Sequence, residues 1–305
     1  MSAGASANVL TIGSRGSQLA LWQARYVASR LEALGVRSRI ETIKTTGDHL
    51  QTASLVQAGG KGLFTKEIEE ALLAGTIDVA VHSLKDLPAG MMPGLAIAAI
   101  PEREDPRDAI VGCRLSELRT GAKVGTSSGR RAAQLRYLRP DLQIEPIRGN
   151  VDTRLRKLRE RQYDAIVLAA AGLRRLGLAE EIAEIFSAEQ MCPAAGQGAL
   201  AVETRQAGEA RSVCERLDNR ESRCAAECER AALAALGGGC QLPIGVHAET
   251  SGETLRVMAL VISPDGKRVL RAQTSGFIDS PEDAGRRVAE ELLERGAGTI
   301  LAENR

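Results

Sequence analysis

Six arginines stand close behind short apolar runs: Arg15, Arg130, Arg131, Arg148, Arg154 and Arg175. Each follows a predicted strand or falls in the first turns of the predicted helix after it. Ligands of open α/β sheets bind beyond the carboxyl ends of the strands, where helix N-termini also favour anions. Because a guanidinium binds a carboxylate through two hydrogen bonds, the pattern is compatible with a ligand that has several carboxylates. Solvated surface charge is one alternative, and a phosphate-rich ligand is another, although no GxxxxGKS/T loop is present.

A second candidate is the run HSLKDLP at residues 82–88, directly behind a predicted strand at 78–81. A carboxylate at the end of a strand, here that of Asp86, can face a cleft and stabilise a developing cation. The neighbouring Lys85 can orient that carboxylate or bind a substrate anion. A turn with a surface ion pair would have the same sequence, so the residue types alone leave both interpretations open.

Glycines mark two further loops. The run GGKGLF at residues 59–64 predicts a mobile loop that contains Lys61 and Phe64. This loop fits a simple flexible connection, which the residues alone favour, or a lid over a cleft. The run GGGCQLP at residues 237–243 ends a predicted helix and leaves Cys240 on an irregular loop. Because a thiolate is a good nucleophile, Cys240 is the best candidate for covalent attachment of a group.

The remaining cysteines are Cys113, Cys192, Cys214, Cys224 and Cys228. The sequence has no CxxC pair, and no histidine is near the helical pair Cys224 and Cys228. Ordinary helix packing is therefore favoured over a zinc site, and no metal is expected. A papain-type protease is disfavoured, because none of the three histidines has the surroundings that such enzymes require.

The elements that position these residues alternate between strand and helix through the first two thirds of the chain, which indicates parallel α/β sheets. Strands are predicted at residues 9–12, 39–43, 78–81, 95–100, 123–125, 142–147 and 165–169. One helix is predicted from an apolar stripe that Gly35 ends, made up of Leu19, Trp22, Tyr26, Leu31 and Leu34. Other helices are predicted at 64–73, 129–138 and, capped by Asn150, up to 161. A strand at 198–203 is expected to return to the first sheet.

The last third has a different pattern, with a helix at 221–236, strands at 245–247, 255–262 and 269–274, and a helix at 281–295. Strands followed by a helix predict a separate small α+β domain.

Composition limits the classes of function. The 305 residues have a formal charge of +1 and 2% aromatic residues, so neither nucleic acid nor a membrane surface is an expected partner. No apolar run is long enough to span a membrane, and residues 1–7 lack the features of a signal peptide. A cytoplasmic protein with reduced thiols is expected.

Together these segments resemble the hydroxymethylbilane synthase (porphobilinogen deaminase) family. The matching stretches follow the family's order over nearly the whole chain: IGSRGSQLALWQA from Ile12, IKTTGD from Ile43, GGKGLFTKEIE from Gly59, DVAVHSLKDLPA from Asp78, GTSSGRR from Gly125, IRGNVDTRLRKL from Ile147, YDAIVLAAAGLRRL from Tyr163, PAAGQGAL from Pro193 and GGGCQLPIG from Gly237. One departure is Gly129, where the family commonly has leucine before the two arginines.

The resemblance implies an α/β fold of three domains. The first two are like periplasmic binding proteins with a hinge between them, and the third is a small α+β domain. In this chain the domains are expected at residues 1–100 with 198–215, at 101–197 and at 216–305.

The resemblance also implies an activity. Enzymes of the family join four porphobilinogen molecules head to tail, with loss of ammonia from each, on a dipyrromethane primer bound to a cysteine. Water then releases linear hydroxymethylbilane. By position, Cys240 corresponds to the primer-bearing cysteine and Asp86 to the catalytic aspartate. Positions matching the cofactor-binding residues are Lys85, Ser17, Arg130, Arg131 and Ser128, and those matching the substrate-binding residues are Arg15, Arg148, Arg154 and Arg175. A monomer is expected.

The implied chemistry agrees with the residue types. Porphobilinogen carries an acetate and a propionate, so a growing chain accumulates carboxylates for arginines to bind. Loss of ammonia leaves an azafulvene cation, which a carboxylate such as that of Asp86 would stabilise. One rival is a non-catalytic anion-binding module, which would need neither Cys240 nor Asp86. Another is a phosphosugar or nucleotide enzyme, which the missing phosphate loop and GxGxxG motif oppose.

Overall fold

The computed structural model describes residues 9–45, 65–88, 90–238 and 242–303. The strands in these ranges are β1 (Leu10–Ser14), β2 (Ser38–Thr42), β3 (Val79–Ser83), β4 (Leu95–Ala99), β5 (Asp108–Val111), β6 (Lys123–Gly125), β7 (Gln143–Glu145), β8 (Ala165–Ala169), β9 (Ile182–Ile185), β10 (Leu200–Arg205), β11 (Ile244–Ser251), β12 (Thr254–Ile262) and β13 (Val269–Phe277). The α-helices are α1 (Gln18–Ala33), α2 (Lys66–Leu73), α3 (Gly129–Leu138), α4 (Val151–Arg159), α5 (Ala170–Arg175), α6 (Glu209–Cys214), α7 (Arg220–Ala235), α8 (Pro281–Glu294) and α9 (Ala297–Ala302). Short 3-10 helices cover Leu84–Asp86, Leu115–Glu117, Ala179–Glu181 and Glu215–Leu217.

The chain forms two compact units. Unit 1 comprises Met1–Glu102 and Leu200–Asn219, and unit 2 comprises Arg103–Ala199 and Arg220–Arg305. The finer division into three domains with borders near residues 100, 197 and 215 stays a prediction. No helix in the described ranges has the length and hydropathy needed to cross a membrane.

Unit 1 is built on a five-stranded sheet in the order β2-β1-β3-β10-β4. The expected return strand is confirmed, because β10 pairs with β3 and β4. It runs antiparallel to both, so the prediction of purely parallel sheets is wrong. A strand that re-enters a sheet from another part of the chain needs no crossover helix and is free to run in the opposite direction.

Helix α1 of unit 1 ends where the sequence indicates, because Gly35 adopts a φ of +80° just beyond it. At its start the Ser17 hydroxyl accepts a hydrogen bond from the Ala20 amide. Three members of the predicted apolar stripe contribute to the core of unit 1, since Leu31 is buried in it and Tyr26 and Leu34 pack against it. The other buried residues of the helix are Gln23, Ala24 and Val27. The rings of Trp22 and Tyr26 stack at 5.6 Å.

Unit 2 contains a second five-stranded sheet, ordered β7-β6-β8-β5-β9, which is also mixed. Strands β6 and β7 and strands β6 and β8 pair in parallel, while β5 pairs antiparallel with β8 and β9. The bounds of β6, β8 and α3 match the prediction, and Asn150 caps α4 as expected. Strands β5 and β9 have no counterpart among the predicted elements.

Unit 2 also contains the predicted small α+β part. Strands β11, β12 and β13 form an antiparallel sheet, and α7, α8 and α9 share its apolar core. Helices α7 and α8 pack closely, because a Cβ atom at Gly285 would overlap the carbonyl of Cys228. The fold class is therefore α/β, with two mixed sheets and a small α+β part.

Candidate active site

In unit 1, Asp86 lies on a short turn that two leucines hold in place. Strand β3 ends at Ser83, and the 3-10 helix Leu84–Asp86 follows at once. Leu84 and Leu87 are buried on either side, and the Leu87 amide donates a hydrogen bond to the Leu84 carbonyl. Between these anchors the Asp86 side chain is exposed and Lys85 is half-buried. The turn thus places a carboxylate and an ammonium at the end of a central strand.

Arg15 lies at the same edge of the sheet. Strands β1 and β3 pair in parallel, with Gly13 opposite Ala80, so their carboxyl ends emerge together. Arg15 follows the last residue of β1 and is half-buried. Ser17 starts α1 and uses its hydroxyl as the N-cap, which places the positive end of that helix at this edge. The structure therefore brings Arg15, Ser17 and the Lys85–Asp86 turn to one edge, as the sequence predicts.

In unit 2, two adjacent arginines converge on one buried carboxylate. Helix α3 begins at Gly129, and the Ser128 hydroxyl caps it by accepting a hydrogen bond from the Arg131 amide. Arg130 Nη1 lies 2.6 Å from Asp108 Oδ2, and Arg131 Nη2 lies 2.7 Å from Asp108 Oδ1. All three side chains are buried. Burial would raise the pKa of Asp108, but the charges of Arg130 and Arg131 hold it far below its usual range.

Neutral groups complete this cluster and fix its geometry. Gln197 donates from Nε2 to Asp108 Oδ1 at 2.9 Å and accepts from Arg131 Nη2 at 3.3 Å. Arg130 Nη1 also donates to the Cys192 carbonyl at 2.7 Å, and Gln134 bonds both the amide and the carbonyl of Cys192. Two guanidinium groups thus share the carboxylate of Asp108 in a buried place.

Arg154 adds a further positive charge. Its Nε donates to the Gly149 carbonyl at 2.7 Å, and no carboxylate in the described ranges forms an ion pair with it. Burial, and then the charge of Arg131, lower the pKa of Arg154 to about 10. A guanidinium that is desolvated near another guanidinium, without an anion, is a site that favours carboxylate binding.

The other two predicted arginines of unit 2 differ in exposure. Arg148 follows β7 and is exposed. Arg175 is buried at the end of α5 and donates from Nη2 to the Gly198 carbonyl at 2.6 Å. Part of the Arg175 guanidinium therefore holds the backbone of the 193–198 turn. Three predicted site residues, Lys61, Phe64 and Cys240, lie outside the described residues.

The five described cysteines are poor candidates for the covalent attachment that the sequence analysis assigns to Cys240. Burial raises the pKa of the Cys192, Cys214 and Cys228 thiols to about 12, and it also raises the pKa of Cys113. Cys224 is buried and directs its sulfur to the Ile278 carbonyl. Among the described residues, no three or more His, Cys, Asp or Glu side chains are arranged so that they could hold a metal ion.

A second buried ionic network lies in unit 2, and residue types alone did not reveal it. Arg103 holds Glu229 of α7 with two hydrogen bonds, of 2.8 and 3.0 Å. The same carboxylate accepts the amides of Gly196 and Ala248, so it joins the 193–198 turn to β11. Burial opposes protonation of His247, but the nearby carboxylates of Glu229 and Glu249 outweigh it and raise the pKa of His247. Helix α7, which leads toward residue 240, is therefore tied to the rest of the unit.

The sequence analysis did not identify two functional candidates, Asp108 and Gln197. Asp108 opens a buried strand directly after the run EDPR, and Gln197 lies in the PAAGQGAL turn. An acidic residue before an apolar run looks the same in sequence whether it faces solvent or a pair of arginines. The signal that remained was the position of Asp108 within a hydrophobic strand, where an unpaired carboxylate is rarely tolerated.

The chain matches two family models. Residues 10–212 match the model described as "Porphobilinogen deaminase, dipyromethane cofactor binding domain". Residues 223–294 match "Porphobilinogen deaminase, C-terminal domain". Both matches follow the same order as the motifs along the chain.

Full-length relatives carry the same description. The chain is 49% identical over 309 residues to a porphobilinogen deaminase of Acidothermus cellulolyticus, covering 99% of this chain and 93% of that protein. It is 48% identical over 302 residues to a porphobilinogen deaminase of Syntrophomonas wolfei, covering 97% of this chain and 99% of the relative. Among solved structures, an ABC-transporter periplasmic substrate-binding protein of Coxiella burnetii has a TM-score of 0.43 and 14% identity, covering 68% of this chain and 92% of that one.

Proposed function

The chain belongs to the porphobilinogen deaminase family, and we propose that it performs the family's reaction with Asp86, Cys240 and the arginines described above. It is a transferase of tetrapyrrole biosynthesis, a hydroxymethylbilane synthase whose residues 10–212 match a dipyrromethane cofactor binding domain. What remains to be assigned is which residues of this chain bind the cofactor and the substrate, and what each of them does.

The observation that carries the proposal is the group of guanidinium side chains around Asp108. Arg130 and Arg131 share one carboxylate, and Arg154 has none among the described residues. Pyrrole units carry acetate and propionate arms, which guanidinium groups bind through paired hydrogen bonds, so these residues fit the cofactor. We assign the carboxylate arms of the bound dipyrromethane to Arg130 and Arg131, next to the Ser128 cap, and those of the substrate to Arg148, Arg154 and Arg175.

The turn in unit 1 supplies the group for bond formation. Arg15 binds a carboxylate arm of the incoming porphobilinogen, while Lys85 and Ser17 bind the cofactor. The exposed carboxylate of Asp86 stabilises the positive charge that develops when ammonia leaves. It then accepts the proton lost as the pyrrole regains aromaticity. Each addition would form one carbon–carbon bond and release one ammonia. Hydrolysis of the bond between the finished product and the cofactor would then release hydroxymethylbilane.

Cys240 holds the growing chain. In the sequence it lies on the glycine-rich loop 237–243, whereas burial raises the pKa of the thiols at Cys192, Cys214 and Cys228. When bound, the dipyrromethane supplies the pyrrole carbon at which the chain grows, and a thioether to Cys240 keeps it from diffusing away. We further propose that Lys61 and Phe64 belong to a loop over the substrate, and that the enzyme works as a cytoplasmic monomer.

The experiment that tests the proposal is the intact mass of the denatured protein beside that of its Cys240→Ser variant. We expect an excess equal to one dipyrromethane in the parent protein alone. A parent protein without the excess is then incubated with porphobilinogen, and it should gain mass and release ammonia. A folded protein that neither carries the group nor acquires it contradicts the assignment. Cys113→Ser is the matched control and should keep the mass excess.

A further inference from the structure

Unit 1 buries three ionisable side chains side by side, close to the Asp86 turn. They are Glu69 on α2, His82 on β3 and Glu203 on β10, and each is at most 6% exposed. His82 Nε2 lies 3.1 Å from Glu203 Oε2. Burial, and then the charge of Glu203, raise the pKa of Glu69, which places the three groups within electrostatic reach of one another. No step of the proposed reaction uses any of them.

The pair of His82 and Glu203 holds the end of β3 on one face of the sheet. Side chains alternate along a strand, so His82 shares a face with Ala80, which packs against Ile68 and Leu72 of α2. Ser83 points to the opposite face, where its hydroxyl accepts a hydrogen bond from Gln23 of α1 at 2.8 Å. The last two residues of β3 are thus each held by a side chain, one on each face.

The backbone of β10 holds β3 from the side. Leu200 lies opposite Ser83, and Ala201 lies opposite His82. Directly beyond these residues the chain enters the Leu84–Asp86 turn. The end of the strand is therefore restrained in three directions, immediately before the residue to which the proposed function assigns bond formation.

A purely structural contact would not need charged groups at this place. Burying a carboxylate is costly, and a well-packed apolar pair of similar volume is often as stable or more so. Glu203 is fully buried, and within the described ranges its Oε1 has no hydrogen-bond partner. Unlike an apolar contact, the hydrogen bond between His82 and Glu203 has a preferred geometry. It therefore fixes the orientation of the imidazole and of the strand that carries it.

We propose that Glu203 and His82 are positioning residues, which hold the end of β3 so that the Asp86 carboxylate is aimed at the reacting pyrrole. The inference rests on the proposed role of Asp86. Such support matters, because a displacement of about 1 Å at the reacting centre is enough to cost roughly 100-fold in rate.

The test uses the full-length protein loaded with its cofactor, as verified by intact mass. Glu203→Leu should keep the mass excess and the melting temperature, but lower kcat by about 10- to 100-fold while KM stays within about twofold. Glu203→Gln still offers an oxygen to His82 and should recover most of the rate. His82→Leu breaks the same hydrogen bond from the other side and should reproduce the loss if Glu203→Leu does not fold.

Glu69→Gln is the matched control, because Glu69 is a buried carboxylate of the same cluster without a hydrogen bond to β3, and it should keep full activity.

Combination with Asp86→Glu separates positioning from general stability. If Glu203 acts through Asp86, adding Glu203→Leu to Asp86→Glu should lower kcat by less than about threefold more. The positioning role is overturned if the kcat loss of the double variant equals the product of the losses in the two single variants. It is also overturned if Glu203→Leu folds, carries the cofactor and keeps an unchanged kcat. Full activity of Asp86→Glu alone instead overturns the assignment of Asp86, and with it the proposed function of the turn.

Discussion

The arginines differ in what already occupies their guanidinium groups. Arg130 and Arg131 are held by Asp108, Gln197 and the Cys192 carbonyl, so they are oriented before a ligand arrives. Arg154 makes one backbone contact and lies close enough to Arg131 for their charges to interact. Under the proposed function, such an arrangement would bind carboxylates without first having to order flexible side chains, which lowers the entropic cost of binding.

Asp86 should tolerate no change in length. In Asp86→Glu the extra methylene moves the carboxylate by about 1 Å or more, so turnover should fall by roughly 100-fold while the cofactor remains attached. Intact mass and the rate of ammonia release measure the two effects separately. Asp279→Glu, at an exposed aspartate of unit 2, should change neither. An active Asp86→Glu protein would remove Asp86 from the reaction.

Asp108 should matter for both stability and cofactor loading. In Asp108→Asn two buried guanidinium groups lose the charge that neutralises them, which should cost about 3 kcal/mol in the free energy of unfolding. Denaturant unfolding measures this loss, and intact mass should show incomplete loading with dipyrromethane. Arg130→Leu or Arg131→Leu should likewise impair assembly of the primer.

The control for Asp108 is Asp141→Asn. Asp141 also forms two hydrogen bonds with one arginine, Arg139, but it does so near solvent. Stability and loading should therefore stay close to those of the parent protein. Equal losses in the two variants would mean that Asp108 acts as an ordinary ion-pair partner.

At the scale of elements, local signals located most helices and strands, while pairing depended on distant residues. Ser17, Ser128 and Asn150 each start a helix as N-caps, because a side-chain oxygen satisfies a free amide there. Strands β5 and β9 were missed, since each is short and shows no clear alternation of apolar and polar residues. The sequence also did not predict that β10 and β5 run antiparallel to their neighbours β3 and β8. The direction of a strand depends on where the rest of the chain places its two ends.

The contact of α7 with α8 depends on a glycine. In Gly285→Ala the new methyl group would overlap the Cys228 carbonyl, and the two helices must separate. We expect a loss of about 1 to 3 kcal/mol in the free energy of unfolding. Gly298→Ala in α9 meets no atom closer than 4.0 Å and should leave stability unchanged or raise it by up to about 1 kcal/mol. A stable Gly285→Ala protein would mean that the helices have room to shift.

At the scale of the whole molecule, the two units have different roles. Unit 1 presents the exposed carboxylate of Asp86, and unit 2 carries the buried arginines and the network of Arg103, Glu229 and His247. The chain has nearly equal numbers of acidic and basic residues, so the positive charge for binding carboxylates comes from local placement.

The network around His247 predicts a dependence of stability on pH. Because Glu229 and Glu249 raise the pKa of folded His247, its protonation stabilises the fold fully below the unfolded value of about 6.5. That contribution should be lost as the pH rises from about 6.5 through the folded pKa. The free energy of unfolding of the parent protein should therefore fall more steeply over this range than that of His247→Gln. Parallel curves for the two proteins would contradict the raised pKa.

The sequence by itself determined the family, the α/β class, the helix starts and the positions of the arginines and Asp86, because these depend on local residue types and on ordered motifs. Only the tertiary structure decided that Asp108 and Gln197 occupy Arg130 and Arg131, that His82 pairs with Glu203, and that both larger sheets are mixed. The physical reason is that a buried charge requires a partner, and that partner is chosen by strand pairing between residues as far apart as 82 and 203.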